Sequence, residues 1–379
     1  MNILGFNPSH HGSVCLLQDG EIKYFIQEER IGNREKYAGY PFRSFIDILE
    51  KYQIDSIITA TPGLKYPSNQ RELENKDSNY WEILACSYDP KIKAYDGSQT
   101  LHHKAHAAHA FYNSGFKEAL AIIIDGLGSP AIADGLVLGQ ETETIFECSY
   151  PAIFTPIYKS HSRLHSKYPV TLCRAYETIN KILGWSVNDS GKTMGLAPYG
   201  KFNFNFPPFF NDCHAEHVFY QKDKIIDEHI SYLNSEINLD TENFPQLQTT
   251  VDPKEWHNDE SKITDLEKDL AWHVQDGIQK TVASLVEKSI KQTGIKKICC
   301  SGGFFLNCVS NYYLTKQFPD VEFYFEPIAN DAGISIGAAK GLWHDTTNDT
   351  TIRPFKSLYL GKKYSKDELL KGISKYVDK

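Results

Sequence analysis

The sequence predicts an α/β fold of two lobes related by internal duplication around a central cleft. Three observations carry this. Residues 1–30 and residues 119–148 both run strand, short polar loop, strand, turn, strand. In each half, strand-like and helix-like segments then alternate, the pattern of layered α/β structure. The third is length: 379 residues exceed what one hydrophobic core usually serves.

The first half opens with NILGFN, a buried strand, followed by GSVCLLQ. Asp19-Gly20 makes a tight turn into EIKYFIQEER, which alternates apolar and polar residues. YPFRSFIDILEKYQI has helical apolar spacing, and DSIITATPG returns to a strand. HKAHAAHAFY is alanine-rich and reads as a helix. The second half opens with ALAIIIDG, the most apolar strand of the chain, then AIADGLVLGQ, a turn, and ETIFECSY as a third strand. The first loops match in character, NPSHHGS in one half and DGLGSPA in the other. A helix over YPVTLCRAYETINKILGW ends at Gly184, and a long helix runs from SKITDLEKD to the Gly294 after it. IKKICCSGG is a strand entering a glycine turn, NCVSNYYLTKQF a helix, VEFYFEPI a strand, ANDAG a loop and ISIGAAKGLWH a helix. Lobe one therefore covers about residues 1–115 and lobe two about 116–345, together one domain of residues 1–345. Residues 200–262, rich in Phe, Asn, Asp and His without a sustained period, are expected to be an insertion. Residues 346–379 read as a polar linker and one helix, too short for a domain. Paired α/β lobes that each open on a strand meander are the architecture of the actin, Hsp70 and sugar-kinase (ASKHA) superfamily.

Composition narrows the function classes. A formal charge of -8 gives no support to a surface built for phosphate backbones, so a nucleic-acid partner is not expected. No run of about 18 apolar residues occurs, and the start lacks the basic and long apolar segments of a signal peptide, so no membrane partner is expected either. The eight cysteines are scattered without zinc-ribbon spacing and read as buried small hydrophobes, including Cys299, Cys300 and Cys308. A reducing cytoplasm fits that usage.

The run LHHKAHAAHA holds four histidines in ten positions. His102, His106 and His109 are spaced i, i+4, i+7 and share one helical face. Two imidazoles one turn apart can hold one metal ion; the alternative is a helix face of hydrogen-bonded histidines. Metal binding needs a carboxylate from elsewhere, and two candidates exist. Asp125 ends the apolar strand ALAIIIDG, with Gly126 and Gly128 letting backbone amides approach a ligand. Asp331 lies in the loop that enters the last long helix. A turn Asp and an N-cap are the plain readings of these two. Two His with one or two Asp suit Fe(II), Zn or Mn. Ser301 to Asn307, SGGFFLN, follows a strand and precedes a helix, and so can cradle an anion. Lys192 in NDSGKTMGLAPYG sits in an anion-binding loop or a plain surface loop, and Arg34 and Lys36 lie in a basic loop that also reads as a solvated turn.

Seven pieces taken in order resemble the NodU/CmcH family of O-carbamoyltransferases: ILGFNPSHHGSVCLLQDGEI, QEERIGNREKYAGYP, HHKAHAAHAFY, IIIDGLGS, GKTMGLAPYG, SGGFFLNCVSN and NDAGISIGAA. The resemblance covers most of residues 1–345. It implies carbamoyl transfer from a carbamoyl-adenylate, made from carbamoyl phosphate and ATP, to a hydroxyl of a small molecule such as a sugar or antibiotic. It places a divalent metal, Fe2+ ahead of Zn2+ or Mn2+, on His102, His106, Asp125 and Asp331. It gives nucleotide to Ser301, Gly302 and Gly303 and an anion contact to Lys36; Asn307, Gly126 and Gly128 join the nucleotide candidates, and Lys192 the anion candidates, from the turns and loops they occupy. His10 matches the family's histidine in the first loop and is the expected proton acceptor. Two departures stand out: His11 follows that histidine where the family has Asp, and Ser129 follows the DGLG stretch where the family has an acid. Family members also carry a C-terminal YrdC-like domain that makes the adenylate, and the chain stops about where it would start. The expectation is a fragment, a separate YrdC-like partner, or an intermediate supplied from elsewhere. Alternatives are a tRNA threonylcarbamoyl-type transferase, a kinase of the same fold holding Mg2+ through carboxylates, and a non-catalytic, partner-dependent ATP-binding subunit.

Overall fold

A computed structural model describes residues 1–32, 41–60, 85–96, 101–133, 136–161, 171–186, 189–204, 206, 263–360, 364–374 and 376. The first 115 residues contain β1 (Asn2–Asn7), β2 (Ser13–Gln18), β3 (Glu21–Gln27), α1 (Glu29–Gly32), α2 (Phe42–Lys51), β4 (Ser56–Thr59), β5 (Lys93–Asp96) and α3 (His102–Ser114). The chain goes on with β6 (Glu118–Ile124), β7 (Pro130–Ala133), β8 (Leu136–Ser149), β9 (Ile153–His161), α4 (Leu172–Ile182) and α5 (Ser190–Leu196). It continues through α6 (Asp265–Thr293), β10 (Lys297–Ser301), α7 (Cys308–Gln317), β11 (Glu322–Phe325) and α8 (Ile334–Thr347), and α9 (Lys366–Ser374) follows.

Strand order proves the duplication. The first sheet runs β3-β2-β1-β4-β5, with β1 antiparallel to β2 and parallel to β4. In the second, β6 is antiparallel to β8 and parallel to β10, β9 flanks β8, and β11 flanks β10. Replacing β1 by β6, β2 by β8, β3 by β9, β4 by β10 and β5 by β11 turns one sheet into the other. Two sheets of matching order are the paired α/β lobes expected from the doubled meander.

The structure departs from expectation at several elements. ETIFECSY is not a separate third strand, because β8 runs unbroken over Leu136–Ser149. The turn expected before it, at Glu141 and Thr142, is part of that strand, and Gln140 to Thr144 are all buried. The true third strand is β9, where Pro156 and mixed polarity hide the alternation. The GKTMGL stretch is helical in α5, where a loop is the sequence expectation. Cys308 is exposed, while Cys15, Cys148, Cys299 and Cys300 are buried as expected, and the described cysteines are free. Almost all of the expected insertion at 200–262 lies outside the described residues.

Between the sheets lie α3 and α8. α8 packs on β1, β2 and α3, and α3 packs on β6 and β10. Their approach is so close that a Cβ on Gly337 of α8 would stand 1.8 Å from the Ala105 carbonyl oxygen of α3. Only glycine fits there, and the helix pair is thereby locked between the lobes. α6 is set by a capping box, Thr264 with Glu267, and ends at Gly294 in the left-handed conformation. After α8 the chain folds back: Arg353 pairs with Asp349 at 2.6 Å, and the Phe355 N–H donates to Asn113 O at 2.8 Å. α9 has no buried residue. Among the described residues no helix is long and apolar enough to cross a membrane.

Candidate metal and nucleotide site

The first turn of α3 has no cap from its own preceding residue, Leu101. Ser129 supplies one from the loop after β6, its Oγ accepting from the His102 N–H at 3.1 Å. An acid at 129 is thus not needed for this contact. His102, His103, His106 and His109 are all fully buried, so the helix carries its rings into the junction of the lobes and not to solvent.

His102, His106, Asp125 and Asp331 converge. One ligand atom from each lies within 4.8 Å of all the others. His102 Nε2 is 3.2 Å from Asp125 Oδ2 and 3.8 Å from Asp331 Oδ1, and His106 Nε2 is 3.4 Å from Asp331 Oδ1. The backbone explains the meeting. β10 lies parallel to β6 with Ser301 opposite Ile123, so the turn after β10 reaches the Asp that ends β6. There the Gly303 N–H donates to Asp125 Oδ1 at 2.8 Å. Gly302 takes φ +100°, and a Cβ on it would stand 2.2 Å from Ile124 O, so the turn requires glycine. His106 Nδ1 lies 3.1 Å from Ser301 Oγ, which orients the ring and leaves Nε2 toward Asp331.

Electrostatics reinforce the group. Burial alone would raise the Asp125 carboxyl, but the hydrogen bond with His102, the charges of His106 and His102 and the Gly303 amide hold it well below the usual carboxylate range. Burial alone would lower the His102 imidazole, but Asp125, Asp331 and Glu141 raise it. His103 is the contrasting case: burial and the neighbouring His102 push it well below its ordinary value. Its Nδ1 lies 2.7 Å from Thr144 Oγ1, and its ring supports the DGLG loop so closely that a Cβ on Gly128 would stand 2.7 Å from it.

The donors fit a transition metal. Two imidazole nitrogens and two carboxylates make a mixed N/O set of the kind Fe2+, Zn2+ and Mn2+ accept. His106 Nε2 is buried without a hydrogen-bond partner, 3.4 Å from Asp331 Oδ1, where it is placed to serve as a ligand. Among the described residues no Lys or Arg pairs with Asp125 or Asp331.

The other expected residues sort differently. Ser301, Gly302 and Gly303 stand beside the metal group, though Ser301 is engaged with His106 and the Gly303 amide with Asp125. A Cβ on Gly126 would meet nothing within 4 Å, so space is open there. Asn307 caps α7, its Oδ1 accepting from the Ser310 N–H at 3.0 Å while its Nδ2 donates to Gln275 at 2.9 Å. Lys192 pairs with Asp189 at 3.2 Å on the surface. Lys36 and Arg34 lie outside the described residues. In the first loop His10 is exposed. Its neighbour His11 takes φ 53°, and its Nδ1 is buried with no hydrogen-bond partner. Burial and the adjacent His10 lower the His11 imidazole, against the pull of Asp331, Glu29 and Asp125. Asn7 and Glu326 were not picked out by sequence patterns, because they act only through tertiary contacts, and His11 stood out only as a departure from the family's motif.

Curated relatives include the uncharacterized protein sll1178 of Synechocystis sp., 27% identical over 98% of this chain and 63% of the relative. The nodulation protein NolNO of Sinorhizobium fredii is 27% identical over 93% of this chain and 49% of its own length. The chain thus spans about half to two thirds of the length of these curated relatives. Among solved structures, T. kodakarensis HypF superposes over 93% of this chain and 49% of that one, with TM-score 0.47 and 13% identity. Component A of the Acidaminococcus fermentans (R)-2-hydroxyglutaryl-CoA dehydratase does so over 91% and 98%, with TM-score 0.44 and 16% identity. The fold assignment rests on the strand order instead. Residues 68–340 match the family described as the carbamoyltransferase N-terminus, a stretch that contains all four residues of the metal group. The chain belongs to the carbamoyltransferase family.

Proposed function

We propose that this chain transfers a carbamoyl group from a carbamoyl-adenylate, made from carbamoyl phosphate and ATP, to a hydroxyl of a small molecule such as a sugar or antibiotic. The observation that carries this reading is the buried His102–His106–Asp125–Asp331 group beside the Ser301–Gly303 turn, in a chain of this family. A bound Fe2+, with Zn2+ or Mn2+ as alternatives, supplies Lewis-acid stabilisation to charge that develops on the adenylate phosphate or carbamoyl oxygen. In the step proposed, the acceptor oxygen bonds to the carbamoyl carbon, the bond from that carbon to the phosphate oxygen breaks, and AMP leaves. The hydroxyl proton passes to an imidazole of the first-loop turn. His10 matches the family pattern, but the buried Nδ1 of His11 favours His11 for that role. The open space at Gly126, in the loop that faces the glycine turn after β10, offers room for the nucleotide.

The test mixes the metal-loaded protein with preformed carbamoyl-adenylate and a panel of sugars, aminoglycosides and unmodified tRNA, and follows products by mass spectrometry. A carbamoylated small-molecule hydroxyl with AMP released in equal amount is expected, and His11→Ala lowers its rate at least about 100-fold. Modified tRNA as the sole product, or AMP release with no carbamoylated acceptor anywhere in the panel, overturns the proposal. Supply of the adenylate by a separate YrdC-like polypeptide is part of the same proposal.

A further inference from the structure

Asn7 is the last residue of β1 and is fully buried. Its side chain faces two separate turns. Nδ2 donates to His10 O at 2.9 Å and to Asp331 O at 3.0 Å, with His11 O further off at 3.5 Å. Oδ1 accepts from the Ser9 N–H at 3.2 Å and the Ser9 Oγ at 2.7 Å. Chemistry fixes the orientation of the amide. The backbone N–H of Ser9 can only donate and the carbonyls can only accept, so Oδ1 must face Ser9 and Nδ2 the carbonyls. Both amide hydrogens are thereby used, one on each turn.

The two turns are those that matter most to the proposed chemistry. One carries His10 and His11, the latter in the left-handed region at φ 53°. The other carries Asp331 of the metal group, 324 positions away in sequence. Ser13 holds the same second turn, its Oγ donating to Ala332 O at 2.7 Å, but makes no hydrogen bond to the histidine turn. Among the described residues, only Asn7 bonds to both through its side chain.

We propose that Asn7 is a positioning residue: one buried amide, hydrogen-bonded to His10 O and Asp331 O, sets the distance between the histidine turn and the metal group. This rests on the reading that His102, His106, Asp125 and Asp331 hold a metal. Neither hydrogen bond touches a reacting atom. A metal ligand displaced by a few tenths of an ångström changes both affinity and geometry, and support of ligands from outside the coordination shell typically carries ten- to hundredfold in affinity.

The test uses Co2+ as the probe, because its visible absorption reports coordination geometry without any turnover. Asn7→Asp keeps the size and the Ser9 acceptor but sets an oxygen against two carbonyls. Asn7→Ser keeps a polar group too short to reach both turns. Thr264→Ala, which removes the cap of α6, is the control for general loss of stability. Both Asn7 variants are expected to bind Co2+ about tenfold to a hundredfold more weakly, with shifted absorption bands, while Thr264→Ala keeps the wild-type spectrum. Wild-type affinity and spectrum in either folded Asn7 variant overturns the proposal. Failure of both to fold while Thr264→Ala folds also overturns it, in favour of a purely structural role. If the wild-type protein itself takes up no Co2+, the metal reading fails, an outcome distinct from the other two.

Discussion

Helix α3 carries two histidine–carboxylate clusters, and they are built on opposite principles. At its start, His102 and His106 face Asp125 and Asp331, two acids with no Lys or Arg paired to either among the described residues. Further along, His109 Nε2 stands 3.3 Å from Glu326 Oε1, and here the chain brings its own cation. Asn113 donates to Glu326 Oε2 at 3.0 Å, and Lys340 donates to Asn113 Oδ1 at 2.7 Å. Tyr324 and the Ile328 N–H complete the ring around Glu326, each at 3.2 Å. Burial pushes the Glu326 carboxyl up to about 7 and the Lys340 ammonium down to about 8. Buried charge is costly unless paired. One cluster includes a lysine of the chain itself, linked to Glu326 through Asn113, and the other leaves converging donors able to hold a cation. A buried histidine beside a carboxylate is therefore not by itself a candidate metal group: what separates the two clusters is the lysine packed with one of them.

The comparison can be broken in three places. The largest effect is expected from His106→Ala: metal affinity measured on dialysed protein falls more than about 100-fold, with circular dichroism unchanged. Full metal content in that variant would erase the distinction between the clusters. Lys340→Met should do the reverse. It strips Glu326 and Asn113 of their charged neighbour and lowers unfolding free energy by on the order of 3 kcal/mol in denaturant titration, leaving metal content per chain intact. Metal loss in the folded variant would mean that the clusters are one unit. The smallest effect concerns pH. Because the folded Glu326 pKa stands above its unfolded value, the folded state keeps a proton that the unfolded state releases as pH rises from 4.5 to about 7. This carboxyl therefore adds stability below about pH 4.5 that is lost as pH climbs through 7. His109, lowered by burial, His106 and Lys340, contributes the opposite slope below 6.5, and Lys340, lowered to about 8, stays mostly charged through this window. Subtracting the unfolding curves of Glu326→Gln from wild type isolates Glu326: the difference should run against wild type by about 1–3 kcal/mol between pH 4.5 and 7. A flat difference would show that Glu326 titrates alike in both states.

Much of this was legible in the chain. The histidine spacing, the strand-end Asp125 and the loop Asp331 each follow a local rule, and the doubled meander predicted the lobes. What local rules could not show is polarity turned inward. Glu141 and Thr142 read as a turn between two strands, yet they lie within β8, where Glu141 is buried and pairs with Lys159 and Thr144 bonds to His103. Asn307 shows the same limit in reverse: a residue in a phosphate-like turn is engaged as a helix cap. Neither Asn7 nor Glu326 belongs to any spacing pattern, since their partners lie in distant elements.

The spread of the metal group along the chain also fixes when it can exist. Both imidazoles leave the ribosome early, but Ser301, which orients His106, is made 195 residues later, and Asp331 later still. A nascent chain holding its histidines therefore has no complete set of donors until lobe two is nearly finished. Under the proposed metal reading, ion uptake is therefore a late event in biogenesis, one that waits for Asp331.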